Sequence, residues 1–513
     1  MDLRETQDMP AAPAPTPLPY DREDHFLWHL RALGIARGAT LATPLWDEAR
    51  EKPPVRVAII DTGVDIYHPN LSGAVPDDAA ADFSSTLFGT IYVPPPRIRD
   101  HESVMDGTAP GHAKLQHEAE NAYLGKRHLF AGLSQGLKAR GVDFGSDPSP
   151  TLIGIIKTLE DIENQANVIA ISDPSTYFGA HGTACAGLVG GRPPVDDAGK
   201  PRPIEDDELP YFGINPYCEI IPICTPYSHE ILPVIHALLY AVIQRADIIL
   251  MPRGVVHPGD RAALKGSSDR VHGSRITANN PSGVPGDQAN LQVLNQHRVA
   301  FEELVKAISN AVYVVTAAGN DGLAQRLAYP ASLAGAKRAS SLENLADPGD
   351  MGPGFLVATA RNRDGLPSSY ANGTALSDLA IPVLSDDAFR FDEGQFRIDG
   401  TSQFAQDFKL DVHASAAAQQ QSPWGLLSLD VSGPFGYEEG DWVDGPEKRS
   451  VPTDRRAGYT IFGGTSASCS VLAGCIALYL QTLPVEQRKL LNQGELLEAI
   501  VRAGIRLASD NCT

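Results

Sequence analysis

Short runs of consecutive apolar residues recur along the chain. Residues 55–60 read VRVAII and end at Asp61-Thr62-Gly63, which is typical of a strand buried on both faces of a parallel sheet. Residues 247–251 (DIILM) and 312–315 (VYVV) repeat this pattern. We therefore predict three strands of one buried sheet.

Helical patterns precede the second and third of these strands. Their apolar residues fall on one helical face each: Ile235, Leu238, Leu239 and Val242 in the first, and Phe301, Leu304, Val305 and Ile308 in the second. Alternation of strand and helix predicts an α/β fold, with a mostly parallel central sheet and helices on both faces.

Other parts of the chain lack this alternation of strand and helix patterns. Residues near 84–178, 256–296 and 385–457 are rich in Gly, Pro, Asp and Ser, which predicts long loop insertions. Residues 1–19 contain five prolines between positions 10 and 19 and are predicted to be a disordered leader. We expect residues 20–513 to form one catalytic domain carrying the insertions.

Charge restricts the range of partners. The 513 residues include 42 Lys and Arg against 63 Asp and Glu, for a formal net charge of −21. Such a surface repels phosphate backbones and anionic lipids, so neither nucleic acid nor a membrane is an expected partner. The first residues lack the apolar core of a secretory signal, which makes a cytoplasmic location the expectation.

The six cysteines show no metal-binding spacing. Free, buried thiols in a reducing compartment are the simplest interpretation. Pairing of Cys185 with Cys469 remains an open alternative, because each follows closely on a candidate catalytic residue.

Four short segments carry residue types suited to nucleophilic catalysis. They are IIDTGVD at 59–65, HGTACAG at 181–187, AAGNDG at 317–322 and GGTSAS at 463–468. A parallel strand that ends in an aspartate presents it to a crevice, and a serine at a helix N-terminus lies beside N–H groups that stabilise an oxyanion. Each residue alone has an ordinary alternative as a turn aspartate, a structural histidine, an N-cap serine or a turn asparagine.

Asp-Thr-Gly also occurs in aspartic proteases. Those enzymes need two carboxylates that share a proton. This chain has a single Asp-Thr-Gly, at 61–63, so we do not favour that reaction.

Taken together, the four segments resemble the subtilases, in which Asp, His, the oxyanion Asn and Ser occur in this order. The likeness runs from about residue 25 to the C-terminus. It implies a subtilisin-like three-layer fold and hydrolysis of a peptide or protein substrate. It assigns Ser466 as nucleophile, His181 as general base and Asp61 as the residue that orients the histidine. Asn320 would stabilise the oxyanion.

The resemblance also implies the substrate-binding residues, which are Pro252, Arg253, Gly254, Ala317, Ala318 and Gly319. Met251-Pro252-Arg253-Gly254 replaces the usual Ser-Leu-Gly and places a cation where an apolar wall is expected. One hypothesis is that Arg253 selects an acidic or polar residue upstream of the cut, or an acidic partner. The alternative is an arginine turned to solvent.

Three positions beside the motifs depart from the family pattern. Ala184 stands where a second histidine is usual, and Cys469 where a proline is usual. Asn70 stands where an aspartate often binds calcium in secreted relatives, so the site loses a charge. We expect no required cofactor, with structural calcium as the open alternative.

Spacing is the largest departure. From Asp61 to His181 is 120 positions, several times what a minimal subtilase would need, and the insertion borders the cleft because it links two triad members. We expect an intracellular, selective or regulated endopeptidase whose insertions contact a regulatory protein partner. A catalytically silent, subtilase-like binding module is the alternative.

Overall fold

The computed structural model describes most of the chain from Leu27 onward. The described residues are 27–36, 44–76, 79–84, 90–93, 129–161, 169–171, 178–196, 203, 211–226, 231–255, 257, 288–338, 350–386, 389–392, 395–398, 425–431, 437 and 458–508. The predicted leader, residues 1–19, lies outside them.

Nine α-helices occur in these segments. They are α1 (Trp28–Ala32), α2 (Pro44–Arg50), α3 (Leu133–Ala139), α4 (Pro150–Asp161), α5 (Phe178–Gly190), α6 (Leu232–Ile243), α7 (Gln288–Ser309), α8 (Gly464–Thr482) and α9 (Gln493–Arg502).

Thirteen strands occur in the same part of the chain. They are β1 (Arg56–Asp61), β2 (Ala81–Asp82), β3 (Thr90–Val93), β4 (Ile169–Ile171), β5 (Glu219–Cys224), β6 (Ile248–Met251), β7 (Tyr313–Ala317), β8 (Phe355–Arg361), β9 (Ile381–Leu384), β10 (Phe389–Asp392), β11 (Gln395–Ile398), β12 (Leu426–Leu429) and β13 (Tyr459–Phe462).

Nine of these strands form the central sheet, in the order β4-β3-β2-β5-β1-β6-β7-β8-β9. The strands from β2 to β9 in this order are all parallel, and β3 runs antiparallel to β2. Two antiparallel hairpins, β10–β11 and β12–β13, lie outside it. The mostly parallel sheet predicted from the sequence is therefore confirmed.

Alternate residues of β1 pack into two separate cores. Val57 and Ile59 join the core formed with α5, α8 and α9, while Ala58 and Ile60 join the core formed with α3, α4, α6 and α7. Side chains of a strand alternate between the two faces, so helices cover the sheet on both sides. The three-layer fold is confirmed.

The segments predicted as insertions contain more regular structure than expected. Strands β3 and β4 and helices α3 and α4 lie within 84–178, and β10, β11 and β12 lie within 385–457. Helix α7 begins at Gln288, inside the segment 256–296. Strands of three or four residues are too short to show a periodic pattern, so the sequence does not reveal them.

Helix α8 is long and apolar enough, by length and composition, to cross a membrane. Most of it lies buried inside the protein, packed against α5 and the strands β6 to β9. It is therefore the central helix of the core, and its first turn carries Ser466.

Candidate active site

Asp61 is the last residue of β1, and its side chain is fully buried. Oδ1 accepts hydrogen bonds from the Thr62 backbone N–H at 2.6 Å and from Thr62 Oγ1 at 2.8 Å. Oδ2 accepts from His181 Nδ1 at 2.8 Å. Both carboxylate oxygens of Asp61 thus accept hydrogen bonds, and the bond to Oδ2 fixes the orientation of the His181 ring.

The pKa of Asp61 lies below its ordinary value. Burial alone raises this pKa, but the charge of His181, its hydrogen bond, the charge of Arg253 and the Thr62 N–H together outweigh that effect. Asp61 is therefore an ionised acceptor for the imidazole N–H.

His181 is the fourth residue of α5, and its side chain is 18% exposed. Gly182 permits the close approach of this helix to the turn that follows β1, because a Cβ there would lie 2.0 Å from the Gly63 carbonyl oxygen. The Phe462 ring packs against the imidazole in a T-shaped arrangement, with 5.4 Å between ring centroids. The run of small residues after His181 thus brings the ring to Asp61.

Ser466 lies in the first turn of α8, whose N-cap is Gly463, so the serine is not a cap. It is 8% exposed, and its Oγ donates to the Pro252 carbonyl oxygen at 2.7 Å. Within the described residues, Ser466 makes no hydrogen bond to His181. The structure thus joins Asp61 to His181 and places the serine hydroxyl on Pro252.

Asn320 follows β7, and its orientation is set by Thr465. Its Oδ1 accepts from the Thr465 backbone N–H at 2.9 Å and from Thr465 Oγ1 at 2.8 Å. The Thr465 N–H can donate only to the oxygen of the Asn320 amide, so Nδ2 must point away from Thr465. Within the described residues Nδ2 makes no hydrogen bond, so it remains available as a donor beside Gly464, where a Cβ would lie 3.2 Å from it.

The predicted substrate-binding residues differ in what they offer. Gly254 is exposed, and its backbone N–H and C=O have no partner among the described residues. By contrast, Ala318 and Gly319 each use both backbone groups inside the protein, with Ala358, Ala328, Thr465 and Asn372 as their partners. Residues 317–319 can therefore line one side of a substrate cleft, whereas the free backbone groups of Gly254 can hydrogen-bond the backbone of an extended peptide.

Arg253 is buried, and the alternative that it turns to solvent is wrong. Its Nη2 donates to Thr225 Oγ1 at 2.7 Å and to the Pro226 carbonyl oxygen at 3.0 Å. The Thr225 N–H donates in turn to the Asp61 carbonyl oxygen at 2.7 Å. The guanidinium thus lies behind Asp61, and the predicted role of Arg253 in selectivity stays a prediction.

The residues around Asn70 do not suit a calcium ion. Asn70 Oδ1 accepts from the Tyr459 hydroxyl at 2.5 Å, and Nδ2 donates to the Arg192 carbonyl oxygen at 3.0 Å. Calcium needs six to eight oxygen ligands. Here the guanidinium of Arg192 itself bonds the nearby carbonyl oxygens, those of Gly73, Gly190 and Cys218. A permanent cation already occupies this cluster, so we assign no calcium to it.

The five described cysteines are free and buried, as predicted. Cys185 Sγ lies 4.0 Å from His181 Nδ1, and burial raises the pKa of Cys185, and likewise that of Cys469, well above the ordinary value. Both are therefore protonated thiols beneath the Asp61–His181 pair, and they do not form the disulfide left open by the sequence.

Sequence reasoning missed several residues that contact the site. Thr465 could have been noticed as the residue between the two glycines and Ser466, but its role in orienting Asn320 has no sequence signal. Tyr370, Ser385 and Asp386 hydrogen-bond Gly464, and they too lie far from the motif along the chain.

Comparison with known proteins identifies the family. The sequence model of the subtilase family matches residues 53–503. No curated protein matches the chain.

Three solved structures illustrate the similarity. The protease domain of PatA is 15% identical, with a TM-score of 0.35 over 88% of this chain and 97% of that one. A serine protease of Aeromonas sobria is 15% identical, with a TM-score of 0.37 over 86% of this chain and 49% of that one, so this chain spans about half its length. The epidermin leader peptide processing serine protease of Staphylococcus aureus is 14% identical, with a TM-score of 0.40 over 85% of this chain and 68% of that one.

The family match covers most of the chain, including all four motifs, and the central sheet has the α/β architecture expected for it. This protein therefore belongs to the subtilase family of serine proteases.

Proposed function

We propose that this protein is a serine endopeptidase that cleaves peptide bonds by acyl transfer with Ser466, His181 and Asp61. The observation that carries the proposal is the 2.8 Å hydrogen bond from His181 Nδ1 to the buried carboxylate of Asp61. This bond leaves His181 Nε2 as the basic nitrogen, as a general base requires.

The reaction requires one change at Ser466. Its hydroxyl leaves the Pro252 carbonyl and bonds His181 Nε2, which takes the proton as Oγ attacks the scissile carbonyl. His181 then passes this proton to the leaving amine, and water hydrolyses the acyl-enzyme in the reverse sequence. Ionised Asp61 stabilises the imidazolium at both stages.

Asn320 Nδ2 and the Ser466 backbone N–H stabilise the oxyanion. The amide is held in the donating orientation by Thr465 before substrate arrives, so little reorganisation is needed in the transition state. The dipole of α8 adds positive potential at the same place.

A fluorophosphonate probe tests the assignment directly. The wild-type protein should be labelled, and Ser466→Ala should not, because the probe reacts with an activated serine. Ser468→Ala is the matched control: this serine lies in the same helix turn but donates to the Val383 carbonyl oxygen, and labelling should persist. A wild-type protein that folds but is not labelled would instead support a catalytically silent binding module.

Substrate lies along Pro252 to Gly254 in this proposal, opposite the wall from Ala317 to Gly319. Gly254 supports it with two free backbone groups, and the charge of Arg253 favours an acidic or polar residue upstream of the cut.

Replacing Arg253 with leucine should remove that preference from a peptide-library cleavage profile. The buried cation attracts a nearby carboxylate, whereas leucine restores an apolar wall. Arg326→Leu, which alters an exposed arginine, should leave the profile unchanged. The selectivity hypothesis is rejected if the Arg253→Leu profile matches that of the wild type.

The enzyme acts inside the cell on selected peptides or proteins, and its insertions bind a regulatory protein partner. The five free, buried thiols support a reducing compartment, and the 120 positions between Asp61 and His181 support a selective cleft. Cell fractionation tests the intracellular location, and whole-proteome cleavage profiling tests the selectivity.

A further inference from the structure

The backbone N–H and the backbone C=O of Gly464 are both hydrogen-bonded by side chains from another part of the chain. Its N–H donates to Tyr370 Oη at 3.1 Å and to Asp386 Oδ1 at 3.3 Å. Its carbonyl oxygen accepts from Ser385 Oγ at 2.9 Å. We call Tyr370, Ser385 and Asp386 the Gly464 clamp.

The clamp residues also bond one another in the protein interior. The Tyr370 hydroxyl donates to Asp386 Oδ1, and Ser385 Oγ lies 3.0 Å from the same oxygen. All three side chains are buried. Burial raises the pKa of Tyr370, and the neighbouring Asp386 charge raises it further, so the phenol keeps its proton and remains the donor to Asp386.

Gly464 lies two residues before the nucleophile, at the start of α8. Its φ of +77° is in the left-handed region, which glycine adopts without strain. The site of a Gly464 Cβ would be 3.2 Å from Asn320 Nδ2, so this residue also borders the oxyanion donor. A shift of Gly464 would therefore move both the serine and the N–H groups beside it.

Neighbouring Gly463 is packed directly on the clamp. A Cβ at this position would lie 2.1 Å from Asp386 Oδ2, so the carboxylate fills the space that only a glycine leaves. A carboxylate at the N-terminus of α8 is also stabilised by the helix dipole. The clamp thus joins the carboxyl end of β9 to the first turn of the nucleophile helix.

We propose that Tyr370, Ser385 and Asp386 are positioning residues that fix the first turn of α8, and with it Ser466, for attack. They contact neither substrate nor reacting atoms and act through Gly464. This inference rests on the proposed function, in which Ser466 is the nucleophile.

Tyr370→Phe tests the proposal with little change in volume. It removes the hydroxyl that bonds both Gly464 and Asp386, and displacement of the nucleophile should lower kcat by about 10- to 100-fold while KM changes less than about threefold. Fluorophosphonate labelling should slow by the same factor as kcat. Ser385→Ala, a second variant that removes a single hydroxyl, should shift kcat in the same direction.

Asp386 provides a graded comparison. Asp386→Asn retains an oxygen acceptor for the Gly464 N–H and should lose less kcat than Asp386→Ala, which removes the acceptor. Such partial rescue by the conservative variant is expected only if the hydrogen bond to Gly464 matters for catalysis.

Gln481→Leu is the matched control. Gln481 is buried at the other end of α8 and bonds Val55, Asn215, Ala49 and Tyr217. Its replacement should lower Tm but leave kcat per folded molecule within about twofold, because the loss is one of stability.

Three results overturn the proposal. Clamp variants that lower Tm but keep the wild-type kcat and labelling rate would show a purely structural role. Variants that raise KM alone would show a role in substrate binding. A folded wild-type protein that is not labelled would refute the proposed function, and with it the positioning role of the clamp. This failure can be told from a failure of the clamp proposal alone, because it appears in the wild type before any clamp variant is made.

Discussion

Replacing Ser466 with alanine should lower kcat by about 10⁶-fold, the size found for the nucleophile of subtilisin. In the proposed mechanism, the substitution removes the attacking oxygen and leaves substrate binding and the oxyanion donors in place. Asn320→Ala should cost about 10² to 10³ in kcat, because it deletes one of two oxyanion donors and no reacting atom. Steady-state hydrolysis of a chromogenic peptide measures both losses.

The ranking is the informative part of this experiment. Thr465 holds the Asn320 amide by its oxygen, so Asn320→Asp, which keeps the oxygen but replaces the donor, should resemble Asn320→Ala in kcat. Equal and small losses for Ser466→Ala and Asn320→Ala would contradict the assignment of both residues. Thermal unfolding of each variant controls for loss of structure.

Asp61→Asn should lower kcat by about 10⁴-fold with little change in KM. Asp61 Oδ2 now accepts the proton of His181 Nδ1, which leaves Nε2 free to act as the base. An asparagine that presents its NH₂ group to Nδ1 selects the opposite tautomer, in which Nε2 carries the proton and cannot accept one from Ser466. It also removes the charge that stabilises the imidazolium.

Asp82→Asn is the control for this substitution. Asp82 is another buried aspartate at the end of a strand of the same sheet, and it accepts hydrogen bonds from the N–H and hydroxyl of Ser84, much as Asp61 accepts from those of Thr62. Its replacement should leave kcat within about threefold, since hydrogen bonds within a loop away from the proposed reacting groups contribute mainly to stability. An Asp61→Asn enzyme with near wild-type kcat would remove Asp61 from the triad.

The main elements of the sheet could be predicted from local sequence. The apolar run at 55–60 and the helical faces before 247–251 and 312–315 correspond to β1, α6, β6, α7 and β7. These signals are local because a strand or helix buried in the core must repeat apolar residues at its own period. Strands β3 and β4 carry no such repeat, and only pairing at the edge of the sheet defines them.

The candidate catalytic residues were also identified from the sequence, through the order and local context of four motifs. Their relations to other segments were not. The sequence allowed Arg253 to be a specificity residue or a solvated arginine, and the structure excludes only the second, because the guanidinium is buried and bonds Thr225 behind Asp61. The sequence offers no reason to connect these residues, because the contact depends on adjacent strands from separate parts of the chain.

The sequence by itself determined the α/β class, the main strands and helices, and the choice of Asp61, His181, Asn320 and Ser466 as candidate catalytic residues. Only the tertiary structure decided which atoms meet: the Asp61–His181 bond, the serine hydroxyl on Pro252, the amide of Asn320 turned by Thr465, and the Gly464 clamp. Periodicity and short motifs encode what a segment is. Hydrogen bonds between segments tens or hundreds of residues apart follow from how the strands are ordered in the sheet, which no local pattern records.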